Sequence, residues 1–347
     1  MNFSISIFDK QYTYKKFVKI AIIAILIIIN CIALLNYYID PLRMFQHKNN
    51  FNQKQLDFNE RLQKTNYLKY VAMPQQLNFD SILLGSSRTT YINQNAFKNL
   101  HVYNYAANNM SPYEYKKFIN YFTEITGKEP KNIILGVDFF GTAMEENKNY
   151  SDENFLAQTK STTQWETLYS FKLLEYSIRN IKQKLKSTKP YYNRENIKFL
   201  PNTDYFKQKT PLVLKEQLRQ FKNYQFDEKL QDEYNKLKSR YKNSDFIIFT
   251  TPITKVQLEN YKKNNYLQYY FRWLRELVEA FGEVHHFMYP NALTKDAANF
   301  FDAEHMRPST GDKIASYISE QQKFEDFGIT LTKDNIEKFI REYPTDD

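Results

Sequence analysis

Two short motifs in distant parts of the chain contain the residue types needed for nucleophilic catalysis. The first is Gly85-Ser86-Ser87, and the second is Asp302-Ala303-Glu304-His305. A serine hydroxyl becomes a nucleophile when an imidazole accepts its proton, and a carboxylate orients that imidazole and stabilises its cation. Asp302 and His305 are three positions apart, so one turn of chain can present both to the same site. The two motifs therefore predict acyl-transfer chemistry if the fold brings them together.

The elements that must position these motifs alternate along the chain. Short apolar runs at residues 79–84, 102–105, 132–137, 246–250 and 283–287 predict five β-strands. Helical patterns at residues 112–125 and about 258–281 lie between strands, which favours a parallel sheet with helices on both faces. In such a sheet, ligands bind beyond the carboxyl ends of the strands, and both motifs come after predicted strands.

An apolar stretch at residues 17–39 has the length and composition of a membrane-spanning helix. Its strongly polar residue is Asn30, and it ends with Tyr37 and Tyr38, which suit the membrane interface. Basic residues precede the stretch and few follow it, so the positive-inside rule predicts a cytoplasmic N-terminus. The preceding basic residues are Lys10, Lys15, Lys16 and Lys19. A cleaved signal peptide and a lipoprotein attached at Cys31 are alternatives, but the small residues that those cleavage sites need are absent.

These features divide the chain into segments. We predict that residues 1–16 are cytoplasmic, that residues 17–39 cross the lipid bilayer, and that residues 40–75 form a polar stalk or wrapping segment. Residues 76–347 are predicted to form one α/β domain with a helical insertion at about 143–243. The expected location is the cytoplasmic (inner) membrane, in a single pass, with the domain on the periplasmic or extracellular side.

Composition narrows the function classes. The 347 residues carry a formal net charge of +9, and a basic chain can bind nucleic acid, an anionic membrane surface or an acidic polymer. Nucleic acid is not expected as the partner of a domain outside the cytoplasm. The single cysteine, Cys31, excludes an intramolecular disulfide and a cysteine-based zinc site. The sequence contains neither a metal-ligand motif nor a glycine-rich phosphate loop, so we predict no metal and no other cofactor.

The two motifs, in this order, resemble those of the SGNH (GDSL-like) hydrolase family, and within it the membrane-anchored DltD-like branch associated with envelope O-acyltransferases. The family's first motif is Gly-Asp-Ser after the first strand, and its last is Asp-x-x-His near the C-terminus. Asp40-Pro41 after the anchor and Phe327-Gly328 near the end are also similar to this branch. The resemblance covers residues 79 to about 340 apart from the insertion, and it implies a flavodoxin-like three-layer sandwich.

Carried over by position, the resemblance implies that Ser87 is the nucleophile, His305 the base and Asp302 the partner of the base. The family's second motif supplies a glycine to the oxyanion hole, and the equivalent place here is near Asn109. The backbone N–H of Asn109 could serve as the donor.

One position departs from the family. Asp138 stands where the family usually has an asparagine that donates to the oxyanion, and an ionised carboxylate cannot donate a hydrogen bond. Asp138 must therefore be protonated, turned away or in another role. Arg88 either supplies positive charge to the site or holds Asp138, and Ser86 of the same loop is a further candidate to contact the oxyanion or the substrate.

The leading hypothesis is an esterase or O-acyltransferase that acts on an acylated cell-envelope polymer through an acyl-serine intermediate. The resemblance implies a polysaccharide or teichoic-acid-like polymer as substrate, and a membrane O-acyltransferase of the MBOAT type as partner. The alternative is a catalytically degenerate binding or scaffold module that assists such a membrane enzyme, which the departure at Asp138 favours. A third hypothesis is a sensor that contacts another membrane protein through Asn30.

Overall fold

The computed structural model describes residues 10–147, 163–186, 189–201, 206–221, 223–320 and 324–343. Its strands are β1 (Ser81–Gly85), β2 (Val102–Asn104), β3 (Asn132–Val137), β4 (Tyr191–Tyr192), β5 (Lys198–Phe199), β6 (Asp245–Thr250), β7 (Glu283–His286) and β8 (Ile329–Thr332). Six of them form a central sheet in the order β2-β1-β3-β6-β7-β8. Neighbouring strands are parallel except for β7 and β8, which are antiparallel. The chain is thus a mixed α/β protein with a mostly parallel central sheet.

The helices connect and cover these strands. They are α1 (Lys10–Ile39), α2 (Glu60–Asn66), α3 (Tyr115–Thr126), α4 (Met144–Asn147), α5 (Gln164–Leu168), α6 (Phe171–Lys186), α7 (Phe206–Gln220), α8 (Leu230–Arg240), α9 (Lys255–Lys263), α10 (Leu267–Phe281), α11 (Ala292–Lys295), α12 (Pro308–Glu320) and α13 (Ile336–Arg341). The prediction of a single helix over 258–281 is wrong, because the helical conformation is interrupted between α9 and α10. Asn265 occupies the break with a φ of +61°, a left-handed conformation that asparagine tolerates better than most residues.

The predicted insertion is mainly helical in its described parts, from α4 to α8. It also contains the antiparallel pair β4-β5, which the sequence pattern does not predict. Residues 148–162, 187–188, 202–205 and 222 of the insertion lie outside the described residues. So do residues 1–9 of the predicted cytoplasmic segment.

Apolar side chains cover both faces of the central sheet. On β1, Ile82 and Leu84 belong to one buried cluster together with Trp273 of α10. Leu83, which points to the opposite face, belongs to a second buried cluster with Ile314 of α12. Continuous apolar runs such as β1 are typical of parallel strands that are buried on both faces. Their loops at the carboxyl ends are therefore held on a rigid frame.

Helix α1 is exposed along most of its length. Its part Tyr14–Ile39 is the helix among the described residues that is long and apolar enough to cross a membrane, and a signal sequence would meet the same criterion. Its last two turns differ, because Ala33, Asn36 and Ile39 are buried against the body. The Asn36 amide donates to the carbonyl of Leu168 at 2.8 Å, so the end of α1 is part of the packed structure.

Residues 40–75 wrap around the body and do not extend as a stalk. Asp40 is buried, and its carboxylate accepts hydrogen bonds from the backbone N–H groups of Met44 and Phe45. The same carboxylate pairs with Arg194 of the insertion at 2.8 Å. The segment that follows α1 is therefore packed on the insertion.

Candidate active site

The first motif forms a tight turn directly after β1. Gly85 has a φ of +150°, and a Cβ atom there would lie 2.3 Å from Thr89 Oγ1 and 2.5 Å from the Gly136 carbonyl oxygen. Only glycine fits this position, because a side chain would overlap the neighbouring strand. Ser86 is fully buried, whereas Ser87 is half-buried and lines a cavity. The turn therefore presents Ser87, not Ser86, to a ligand.

The second motif meets Ser87 across 218 residues of sequence. Ser87 Oγ lies 2.9 Å from His305 Nε2. His305 Nδ1 lies 3.0 Å from each carboxylate oxygen of Asp302. Because an ionised carboxylate only accepts hydrogen bonds, Nδ1 carries the imidazole hydrogen and Nε2 is left to accept the Ser87 proton. The structure thus brings together all three residues that were predicted to form the triad.

Asp302 is held in its ionised form. Burial tends to raise the pKa of Asp302, but attraction to His305 and a hydrogen bond from it outweigh burial, so this pKa lies below its ordinary value. The backbone N–H groups of Glu304 and His305 each donate to Asp302 Oδ1 at 2.9 Å and act in the same direction. An ionised Asp302 would stabilise the imidazolium that forms when His305 takes a proton.

A cavity of about 310 Å³ opens beside Ser87 and His305. The loops after the strands contribute one part of its lining, including Asn109. Helix α7 of the insertion contributes another part, in which Lys209 and Leu212 represent its charged and apolar character. The site is therefore a cleft with room for a ligand that has both polar and apolar groups.

Asp138 is not among the residues that line this cavity. Its Oδ1 atom accepts hydrogen bonds from Arg88 Nη1, at 3.1 Å, and from the Thr251 hydroxyl. Arg88 is buried, and its Nη2 atom lies 3.3 Å from Glu304 Oε1. Burial tends to lower the pKa of Arg88, but Glu304 and Asp138 outweigh it and raise this pKa above its ordinary value. Arg88 thus holds Asp138, and because Arg88 also lines the cavity it brings positive charge to the wall of the site.

Asn109 lies at the cavity in the left-handed conformation, with a φ of +50°. Glycine adopts this conformation most easily and asparagine is one of its few common substitutes. Arg61 donates to the carbonyl oxygens of Asn108 and Asn109 at 3.0 and 3.4 Å. The backbone N–H of Asn108 donates to Glu60 Oε2 at 2.7 Å. The loop that carries the oxyanion candidate is thus fixed by charged side chains of α2.

A buried ion pair connects this loop to the serine turn. Glu60 Oε1 lies 2.8 Å from Lys198 Nζ, and both side chains are almost inaccessible to solvent. Lys198 also donates to Thr90 Oγ1 at 3.2 Å, and the Thr90 hydroxyl donates to the Ser87 carbonyl at 2.6 Å. Burial tends to raise the pKa of Glu60, but Lys198 and Lys64 lower it to about 2. The wrapping segment and the insertion therefore position both loops of the site.

The sequence-based reasoning missed Glu60, Arg61 and Lys198, as well as the wall contributed by α7. These residues lie in polar segments without an apolar period, where charged side chains are ordinarily exposed. The one feature of the sequence that could have indicated these residues is the charged pair Glu60-Arg61 at the start of a short helix.

Comparison with known proteins adds no assignment. No protein-family model matches the chain, and no curated protein matches it in sequence.

Within the described ranges, no group of three or more histidine, cysteine, aspartate or glutamate side chains could hold a metal ion.

Proposed function

We propose that the protein is a membrane-anchored serine esterase or O-acyltransferase with an SGNH-like fold, flavodoxin-like and three-layered, that acts outside the cytoplasm. The observation that carries the proposal is the distance of 2.9 Å between Ser87 Oγ and His305 Nε2, beside an open cavity. Asp302 completes the arrangement. Within hydrogen-bond reach of a base that is oriented by a carboxylate, a serine hydroxyl is competent for acyl transfer.

The proposed reaction has two steps. Ser87 Oγ attacks the carbonyl carbon of an ester while His305 Nε2 takes the hydroxyl proton, and His305 then returns that proton to the departing alcohol. In the second step His305 takes a proton from water or from an acceptor hydroxyl, whose oxygen attacks the acyl carbon. The bond between that carbon and Ser87 Oγ breaks, and His305 returns the proton to Ser87 Oγ. The backbone N–H of Asn109 is the candidate donor to the oxyanion. Asp138 takes no part in this step, because it accepts hydrogen bonds from Arg88 and Thr251.

We propose an acylated cell-envelope polymer, such as a polysaccharide or a teichoic-acid-like chain, as the substrate, and a membrane O-acyltransferase of the MBOAT type as a partner. A substrate in the cell envelope requires that the protein stays at the membrane, and an uncleaved α1 would keep it there. The Asn36 amide donates to Leu168, and its Oδ1 accepts from Ser177 Oγ at 2.9 Å, so removing α1 would leave buried polar groups of the body without their partners. Asn30 donates to the Leu26 carbonyl in its own helix at 2.7 Å, which weakens the hypothesis of a sensor contact through Asn30.

The degenerate scaffold remains the second candidate function, because Asp138 cannot supply the oxyanion donor that the family's asparagine supplies. The loss of one such donor costs roughly 3–4 kcal/mol of transition-state stabilisation. The cavity and the short Ser87–His305 distance favour the enzyme over the scaffold.

Labelling with a fluorophosphonate tests the proposal. The full-length protein in detergent should react covalently, Ser87→Ala should not react, and Ser86→Ala should still react because Ser86 is buried and does not line the cavity. If folded wild-type protein labels no better than Ser87→Ala, Ser87 is not a nucleophile and the scaffold function is preferred.

A further inference from the structure

Helices α5 and α6 carry a group of large apolar side chains on their outer surface. We call this the α5–α6 surface, and its members are Trp165, Tyr169, Phe171, Ile178 and Leu185. Trp165 and Phe171 are each 73% exposed and Leu185 is 78% exposed. Side chains of this size are costly to leave in water, so a group of them on two consecutive helices indicates an interaction surface.

Helix α6 carries large apolar side chains on its outer side as well as on its inner side, where Leu173 is buried in an apolar cluster. Its inward face includes Ser177 and Asn180, which are fully buried and donate or accept hydrogen bonds with Asn36 and Leu56. Its outward face carries Phe171, Ile178 and Leu185, which are spaced by seven residues and therefore lie on one side of the helix. The arrangement is typical of a helix whose outer side contacts something apolar.

The α5–α6 surface is continuous with the outer end of α1. The Asn36 amide donates to the carbonyls of Leu168 and Ser170, which lie between Tyr169 and its neighbours on the surface. Asn36 is about 5 Å before the end of α1 at 1.5 Å per residue. A bilayer with a hydrocarbon core of about 30 Å around α1 would thus place this contact in the outer interfacial region.

The charge of α6 also favours a lipid bilayer as the partner of this surface. The helix contains five basic residues and one acidic residue, Glu175. Among the basic side chains, Lys172, Arg179, Lys182 and Lys186 are exposed. Basic side chains beside exposed aromatic and aliphatic ones suit a lipid headgroup region, where the apolar groups enter the acyl boundary and the cations meet phosphate.

We infer that the α5–α6 surface is a second membrane contact, which lies in the outer interface beside α1 and fixes the orientation of the body on the bilayer. The inference rests on the proposed transmembrane anchor. It goes beyond that anchor, because a single helix can tilt in the bilayer and carry the packed body with it. A fixed orientation would hold the cavity at Ser87 at a constant height above the membrane.

Depth-dependent quenching of tryptophan fluorescence tests the inference. The chain has two tryptophans, Trp165 on the surface and Trp273, which is fully buried in the core. Wild type and Trp165→Phe are placed in nanodiscs of phosphatidylcholine with brominated or ordinary acyl chains. The difference between the two proteins isolates Trp165, and Trp273 serves as an internal control. We expect brominated lipid to remove most of the Trp165 emission and to leave Trp273 emission unchanged.

A second reporter separates this inference from the anchor. Cys31 is the single cysteine and is exposed on α1, so a thiol-reactive fluorophore there reports whether α1 enters the bilayer. Quenching at both Cys31 and Trp165 supports the inference. Quenching at Cys31 alone, with Trp165 still open to a water-soluble quencher, overturns the second contact but keeps the anchor, and points to a protein partner for the surface. Quenching at neither site overturns both.

Discussion

Glu60→Gln removes the central carboxylate of the buried ion pair while it keeps the shape of the side chain. That carboxylate accepts hydrogen bonds from Lys198, Tyr192 and the Asn108 backbone at 2.8, 2.6 and 2.7 Å. Burial alone would raise the pKa of Glu60, but its cationic neighbours lower it from 4.5 to about 2. The shift corresponds to about 3 kcal/mol of stability. Removing one partner of a buried pair costs a similar amount, roughly 3–5 kcal/mol.

The pH dependence of this loss has a definite sign. The pKa of Glu60 in the folded protein lies below its value in the unfolded chain, so the contribution is complete above pH 4.5 and is lost as the pH falls towards 2. The stability difference between wild type and Glu60→Gln should therefore be about 3 kcal/mol near neutral pH. It should fall below about 1 kcal/mol near a pH of about 2.5.

Urea unfolding of the full-length protein in detergent, followed by circular dichroism, measures this difference. Glu233→Gln is the matched control, because Glu233 also lies 2.8 Å from a lysine, Lys236, but the pair is exposed. The control should shift the midpoint little, since water and salt screen exposed pairs. The reasoning is wrong if Glu60→Gln is no more destabilised than the control, or if its loss is the same at both pH values.

Three further outcomes are expected. Asp302→Asn should slow fluorophosphonate labelling by a factor on the order of 10⁴, because an amide neither fixes the imidazole tautomer nor stabilises its cation; an unchanged rate would remove Asp302 from the triad. Gly85→Ala should show no cooperative transition in thermal unfolding, because its Cβ would overlap Thr89 and Gly136. Gly141→Ala, where a Cβ would meet its nearest neighbour at 3.6 Å, should unfold like wild type. Arg88→Met leaves Asp138 buried without its cation and should cost roughly 3–5 kcal/mol in urea unfolding, and a negligible loss would contradict the pairing.

Much of the central sheet could be predicted from local pattern. Strands β1, β3 and β6 are short apolar runs, and each bears enough buried surface to be recognised without knowledge of its neighbours. The edge strand β8 and the β4-β5 pair were not predicted, because none of them is a continuous apolar run: β8 reads Ile-Thr-Leu-Thr, and β4 and β5 have two residues each and depend on pairing with each other.

The triad of the candidate site could be predicted from the sequence, whereas the role of Asp138 could not. Ser87, His305 and Asp302 carry recognisable chemistry and follow strands, so the topology of a parallel sheet was enough to expect them at one edge. Three roles for Asp138 could not be separated in sequence, because the answer depends on where the Arg88 guanidinium and the Thr251 hydroxyl lie.

By itself, the sequence determined the apolar helix, the alternation of strands and helices, and the two motifs that meet at the candidate site, because each depends on composition and period over a few residues. Only the tertiary structure decided that Arg88 holds Asp138, that Glu60 and Lys198 form one buried pair across 138 residues, and that α6 exposes large apolar side chains on its outer side. The physical reason is that burial is a property of the surroundings: a charged or apolar side chain is stabilised by groups that folding brings from distant parts of the chain.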